Sequence, residues 1–86
     1  MLTEKSFCDL LRRVPGASEV EAGREGTKLI GLVVSGAFAD MEEHERQSLV
    51  WGLILENLSD AEQSEVGYVF TNTPEERADA QLASGT

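Results

Sequence analysis

The span Lys28 to Ser35 carries Leu29, Ile30, Leu32, Val33 and Val34, interrupted only by Gly31. Five apolar residues in six positions, two of them β-branched valines beside an isoleucine, describe a strand buried on both faces. In a chain of 86 residues such a strand must lie at the centre of whatever sheet forms. A domain of this size can surround one core and no more. The 41% apolar and 27% charged content is enough to build that core and to solvate its outside.

The segments around the central strand follow from periodicity and from stop signals. Thr3 is an N-cap, and Phe7, Leu10, Leu11 and Val14 fall on one helical face, so a helix is expected from Glu4 to Val14. Pro15 and Gly16 end it. Ser18 to Ala22 alternates, with Val20 and Ala22 on one side and Glu19 and Glu21 on the other, which describes a half-exposed edge strand. Gly23-Arg24-Glu25-Gly26 reads as the hairpin turn into the central strand. Asp40 and Glu43 form a capping pattern for a helix to Asn57 or Leu58,. Its Leu49, Val50, Leu53 and Ile54 form one face for the sheet, and Trp51, Leu55 and Leu58 form a second stripe beside it. Ser59 to Glu62 caps a short helical turn, and Val66, Tyr68, Val69 and Phe70 mark a third strand within Glu65 to Asn72. Thr73-Pro74-Glu75-Glu76 joins an N-cap, a proline at the first helical position and a glutamate at the third. It predicts a last helix to about Leu82.

The expected fold class is therefore α/β (α+β), in the order α-β-β-α-α-β-α. A long crossover makes the second and third strands parallel. With the hairpin, the product is a three-stranded mixed sheet with helices on one face. Residues 1–82 are expected to be one domain, and 83–86 a frayed tail.

Charge narrows the function. The formal net charge is −9, from 16 acidic and 7 basic side chains, and among the basic ones only Arg12 and Arg13 are adjacent. Nucleic-acid affinity comes largely from cations at phosphates, so nucleic acid is an unfavoured partner. No apolar run reaches the roughly 20 residues that span a bilayer. Met1 to Leu11 contains Glu4 and Asp9 and lacks the apolar stretch of a secretory signal,. A cytoplasmic protein is expected by default.

Nucleophilic chemistry needs a nucleophile, a base and an orienting group. The one cysteine, Cys8, reads as a small packed helix residue. The one histidine, His44, lies among Glu42, Glu43 and Glu45 and reads as a solvated helix residue. Four positions fit a binding role better. Arg46 projects from the apolar face of the long helix, where it either ties down the helix start or meets a partner's anion. Trp51 is either core or a partner anchor. Gly67, a strand glycine, marks a bulge or a close approach by another backbone. Tyr68 stands beside it in the same stretch. No catalytic residue, metal ligand or cofactor is assigned.

Val33-Val34-Ser35 followed by Phe38, then Arg46, then Leu49-Val50-Trp51, resembles the BolA family pattern, and Thr71-Asn72-Thr73-Pro74-Glu75-Glu76 is similar to that family's strand-to-last-helix junction. The likeness runs from about Leu29 to Glu76. It implies a class II KH-like fold and a non-catalytic adaptor or regulatory protein of stress response and iron–sulfur or redox homeostasis, with a monothiol glutaredoxin as partner. A nucleic-acid-binding transcriptional regulator of KH-like type is the alternative it implies. A diverged protein with an unrelated role is a third. The family's third-strand histidine, a cluster ligand, is absent from Ser64-Glu65-Val66-Gly67-Tyr68, and Gly23 to Gly26 supplies no loop ligand. The expected R-H pair is Arg46-Gln47, and Asp40 replaces a glycine. The chain alone is therefore expected to bind no cluster, with Gly67 leaving open the space that a ligand side chain would fill.

Overall fold

The computed structural model describes the backbone of residues 2–84 and the side chains of 2–79. Its elements are α1 (Glu4–Leu11), β1 (Ala17–Glu25), β2 (Lys28–Ser35), a 3₁₀ turn (Gly36–Asp40), α2 (Glu43–Asn57), α3 (Asp60–Gln63), β3 (Val66–Asn72) and α4 (Pro74–Ser84). The strand order is β1-β2-β3, with β1 antiparallel and β3 parallel to β2. The expected order and the mixed three-stranded sheet with a central β2 are both present.

Helix α1 begins where the sequence placed it, with Thr3 Oγ1 accepting the Ser6 amide at 3.0 Å. It ends three residues before Val14. Arg12 to Val14 continue in tighter turns, with Val14 N donating to the Leu11 carbonyl. Pro15 cannot continue a helix and biases its predecessor out of the α region. Phe7, Leu10, Leu11 and Val14 still all reach the core.

The hairpin departs from expectation. Strand β1 runs through Gly23 to Glu25, and Glu25 pairs with Lys28, so the turn is Gly26-Thr27. Gly26 has φ +64°, and among the described residues no non-glycine has positive φ. That combination suits a two-residue type II′ turn, whose twist matches the strands it joins. Helix α2 starts later than expected. Asp40 ends the 3₁₀ turn, and the Glu42 amide donates to Glu45 Oε1 at 2.9 Å. Helix α4 extends to Ser84, two residues past the expected Leu82, and 85–86 lie outside the described residues.

Helices α1 and α2 cover one face of the sheet. The core between them holds Phe7, Leu11, Val14, Leu29, Val33, Phe38, Val50 and Ile54, each no more than 2% exposed. Each contributes roughly 1.5–3 kcal/mol by leaving water. Gly31 lets α1 press on β2, because a Cβ there would sit 2.9 Å from both Leu11 Cδ1 and Phe7 Cε2. The Ser35 hydroxyl, fully buried, donates to the Pro15 carbonyl at 2.6 Å and accepts the Ala37 amide at 3.1 Å. It thus holds the turn that drops Phe38 into the core.

Burial of β2 on both faces is only partly realised. Val34 is buried, but Ile30 and Leu32 are half-buried. They point to the side of the sheet away from α1 and α2. An apolar run records how attractive burial is, not how many layers the chain can supply.

Candidate binding face

A bulge in β3 decides what this second side displays. Leu29 pairs with Val66 and Ile30 pairs with Tyr68, which leaves Gly67 as an extra residue. One extra residue reverses the alternation of side chains downstream. Val66 and Val69 therefore both enter the core, while Tyr68 and Phe70 both face outward at 44% and 52% exposure. Their rings meet edge to face, with centroids 4.9 Å apart and planes at 86°. Ile30 and Leu32 lie beside them in register. With Glu21, Gly23, Arg24 and Glu25 of β1 they line a shallow concavity of about 390 Å³, and the Arg24 guanidinium donates to the Leu2 carbonyl at 2.8 Å.

Gly67 marks a bulge, as one reading of the sequence held. It does not leave ligand space. A Cβ built there would lie 3.0 Å from Ile30 Cδ1, 3.1 Å from Lys28 Cβ and 3.4 Å from the Leu29 carbonyl oxygen. A side chain there would have to push the neighbouring strand's side chains aside by a few tenths of an ångström, which glycine avoids.

Arg46 is committed inside the fold. Its Nε donates to the Met41 carbonyl at 3.2 Å, and Nη1 donates to the Thr71 carbonyl at 3.3 Å and to Glu76 Oε1 at 2.8 Å. The guanidinium also lies 5.7 Å from the Phe38 ring centroid. Of the two readings of Arg46, the geometry realises the one that ties down the helix start and leaves none of these donors for a partner's anion.

Trp51 is half-buried and packs against the core. Its Nε1 donates to Gln47 Oε1 at 3.2 Å. Leu58 is also partly buried, but Leu55, expected beside it, is 60% exposed. The stripe is split because α2 packs on the sheet through the row Arg46, Val50 and Ile54.

Two residues gain importance that the sequence did not reveal. Gln47 Nε2 donates to the Val69 carbonyl at 2.9 Å and lies 3.4 Å from Thr71 Oγ1, which donates to Glu43 Oε1 at 3.0 Å. With the Arg46 bond to Thr71, side chains of α2 cover the outer edge of β3, as unpaired strand edges require. The visible signal was a polar pair, Arg46-Gln47, inside the apolar period of a helix. Phe70 is the other. Without the bulge, alternation would have placed it with Val66 in the core.

The donor set does not fit an iron–sulfur cluster, which takes thiolate or imidazole. In the stretch of the family's third-strand ligand, Ser64 Oγ donates to the Ala61 carbonyl, Glu65 accepts the Leu2 amide, Val66 is core and Gly67 is crowded. Cys8 lies on α1 and His44 in the first turn of α2, and no group of three or more His, Cys, Asp or Glu side chains converges among the described residues. Burial pushes the Cys8 thiol above its ordinary value. Arg12 opposes that, while Asp9, Glu4 and Glu21 add to it.

No family model matches the chain, and no curated protein matches it. Among solved structures it is similar to BolA1 from Arabidopsis thaliana, with a TM-score of 0.64 and 17% identity, over 88% of this chain and 98% of that one. The fold is BolA-like.

Proposed function

We propose that the chain is a non-catalytic adaptor of BolA type that acts by binding another protein, with a monothiol glutaredoxin as the first partner to test, and that it supplies no metal ligand to the complex. The observation that carries this reading is the Tyr68–Phe70 pair. Two large aromatic side chains lie exposed and adjacent on a sheet face that α1 and α2 leave uncovered. Aromatic residues are the commonest anchors of protein interfaces. A non-catalytic role is supported by the state of the reactive side chains. His44 is 78% exposed, with a Glu42 carboxylate oxygen 3.8 Å from its Nδ1, and burial raises the pKa of the Cys8 thiol. Among the described residues neither forms a nucleophile–base pair. No helix among them is long and apolar enough to cross a membrane.

Titration calorimetry with a monothiol glutaredoxin tests the reading. A complex is expected, weakened at least about tenfold by Phe70→Ser or Tyr68→Ser, as befits interface anchors. A complex indifferent to both changes would place the contact elsewhere, and the absence of any complex would remove the glutaredoxin. Fluorescence anisotropy with mixed-sequence DNA is expected to give no binding stronger than ~10 μM at physiological salt, weak beside specific complexes. Submicromolar, steeply salt-dependent binding would restore the nucleic-acid reading.

A further inference from the structure

We infer that the part of this sheet face left open beside α4 is a groove for a single amphipathic helix of a partner protein, apolar along its centre and basic along the flank that meets β1. The inference rests on the protein-binding reading above and adds the chemistry of the partner. Its centre is Ile30, Leu32, Tyr68 and Phe70. Its floor dips at Gly23, whose Cβ position has no atom within 4 Å.

The width selects the occupant. Strands lie roughly 4.8 Å apart, so the axes of β1 and β3 are about 10 Å apart, close to the diameter of one helix. The charge is distributed to one side. The β1 register places Glu19, Glu21 and Glu25 on this face, while the β3 side offers Gly67, Tyr68, Phe70 and Asn72, none of them charged. Arg77 of α4 reaches round to this face and engages Glu19 at 3.1 Å and Glu21 at 2.7 Å, one cation against two carboxylates. Lys28, opposite Glu25, donates to the Ser64 carbonyl. Glu21 remains 55% exposed, open to a second cation. A net charge of −9 disfavours a second copy of the chain and an anionic bilayer on the same face.

Three synthetic peptides of about 18 residues probe this, with binding read by fluorescence anisotropy. The first is leucine/lysine with a helical apolar period, the second has the same composition in strict alternation, and the third replaces lysine by glutamate. The helical basic peptide is expected to bind at least about tenfold more tightly than either of the others. Phe70→Ser should cost about tenfold. Gly23→Lys, which adds a cation to the β1 flank, should cost about fivefold, while Glu56→Gln, an equal charge change on α2, should cost less than about twofold. Circular dichroism confirms that each variant is folded. Equal binding by the alternating or acidic peptide, equal effects of Gly23→Lys and Glu56→Gln, or no binding by the helical basic peptide would each overturn the groove. If the peptide fails while the glutaredoxin complex still depends on Phe70, the groove's helix specificity falls and the adaptor reading stands. If both are indifferent to Phe70→Ser, the face is not a binding site at all.

Discussion

The Arg46 guanidinium donates to both carboxylate oxygens of Glu76, at 2.8 and 3.5 Å, across 30 positions of sequence. The same Glu76 Oε1 accepts the Thr73 amide at 2.8 Å, and the Glu76 amide donates back to Thr73 Oγ1 at 3.1 Å. One carboxylate thus caps α4 and holds α2. The pair joins the first turns of two helices at the end of β3, just beyond the strand that carries Tyr68 and Phe70. The orientation of the proposed binding face therefore depends on a contact far from its surface.

Replacing Arg46 with alanine should destabilise the fold by about 2–4 kcal/mol. The change strips a donor from the buried Thr71 carbonyl and from the half-buried Met41 carbonyl, and leaves a void against Phe38,. Arg46→Lys should recover less than half, because one ammonium cannot serve three directions. Glu76→Gln should cost less, about 1 kcal/mol, since Glu76 is half-exposed and solvent screens the pair. Urea titrations of the three variants check this ranking. A stable Arg46→Ala variant would show that water replaces the guanidinium.

Acid should act through the same carboxylate. The hydrogen bond from Arg46, and then that from the Thr73 amide, hold Glu76 below its ordinary value of 4.5. A depressed folded-state pKa gives stability that is present above the unfolded value and is lost as pH falls through the folded one. The stability gap between the wild type and Glu76→Gln should therefore be constant above about pH 5 and shrink below 4.5. Denaturant melts from pH 7 to pH 3 measure it. A gap that persists at pH 3 would assign the effect to packing.

Much of the scaffold was legible because its signals are local. Thr3, Ser59 and Thr73 each cap the helix expected of them, and the apolar density of Leu29 to Val34 marked β2 as central. The misplaced hairpin turn has a local cause too: Gly23 and Gly26 are equivalent as letters, and only pairing distinguishes a strand glycine from a turn glycine. The binding face was less legible. The outward direction of Phe70 depends on a bulge at Gly67, and the bulge depends on how close β2 lies, a tertiary fact. Arg46 showed its placement on the apolar side of α2 but not its distant partners, which lie on β3 and α4.

Cys8 should be a slow nucleophile. Burial is the main cause of its raised pKa, and Arg12 is the group pulling the other way. At pH 8 the thiolate fraction is therefore below that of an ordinary cysteine, and thiolate governs attack on disulfides. Ellman's reagent should react several-fold more slowly with the folded protein than with the urea-unfolded chain. Arg12→Ala should slow it further. Faster reaction in the folded state would show that Arg12 outweighs burial, and would make Cys8 a candidate redox site.

Three glycines separate crowding from freedom. Gly31→Ala forces a methyl to within 2.9 Å of Leu11 and Phe7. Both are buried and well packed, so α1 must lift from β2, at a cost of about 1–3 kcal/mol. Gly67→Ala meets the mobile end of Ile30 at 3.0 Å but also Lys28 Cβ at 3.1 Å, so it should cost less than Gly31→Ala while still destabilising. Gly52→Ala meets nothing within 4 Å in the middle of α2 and should stabilise by about 0.5–1 kcal/mol, the usual gain from glycine to alanine inside a helix. Thermal melts of the three variants give the order directly. If Gly31→Ala matched the wild type, the close seating of α1 on β2 would be refuted. If Gly67→Ala alone were stabilising, β3 would run without its bulge, and Phe70 would point into the core instead of toward a partner.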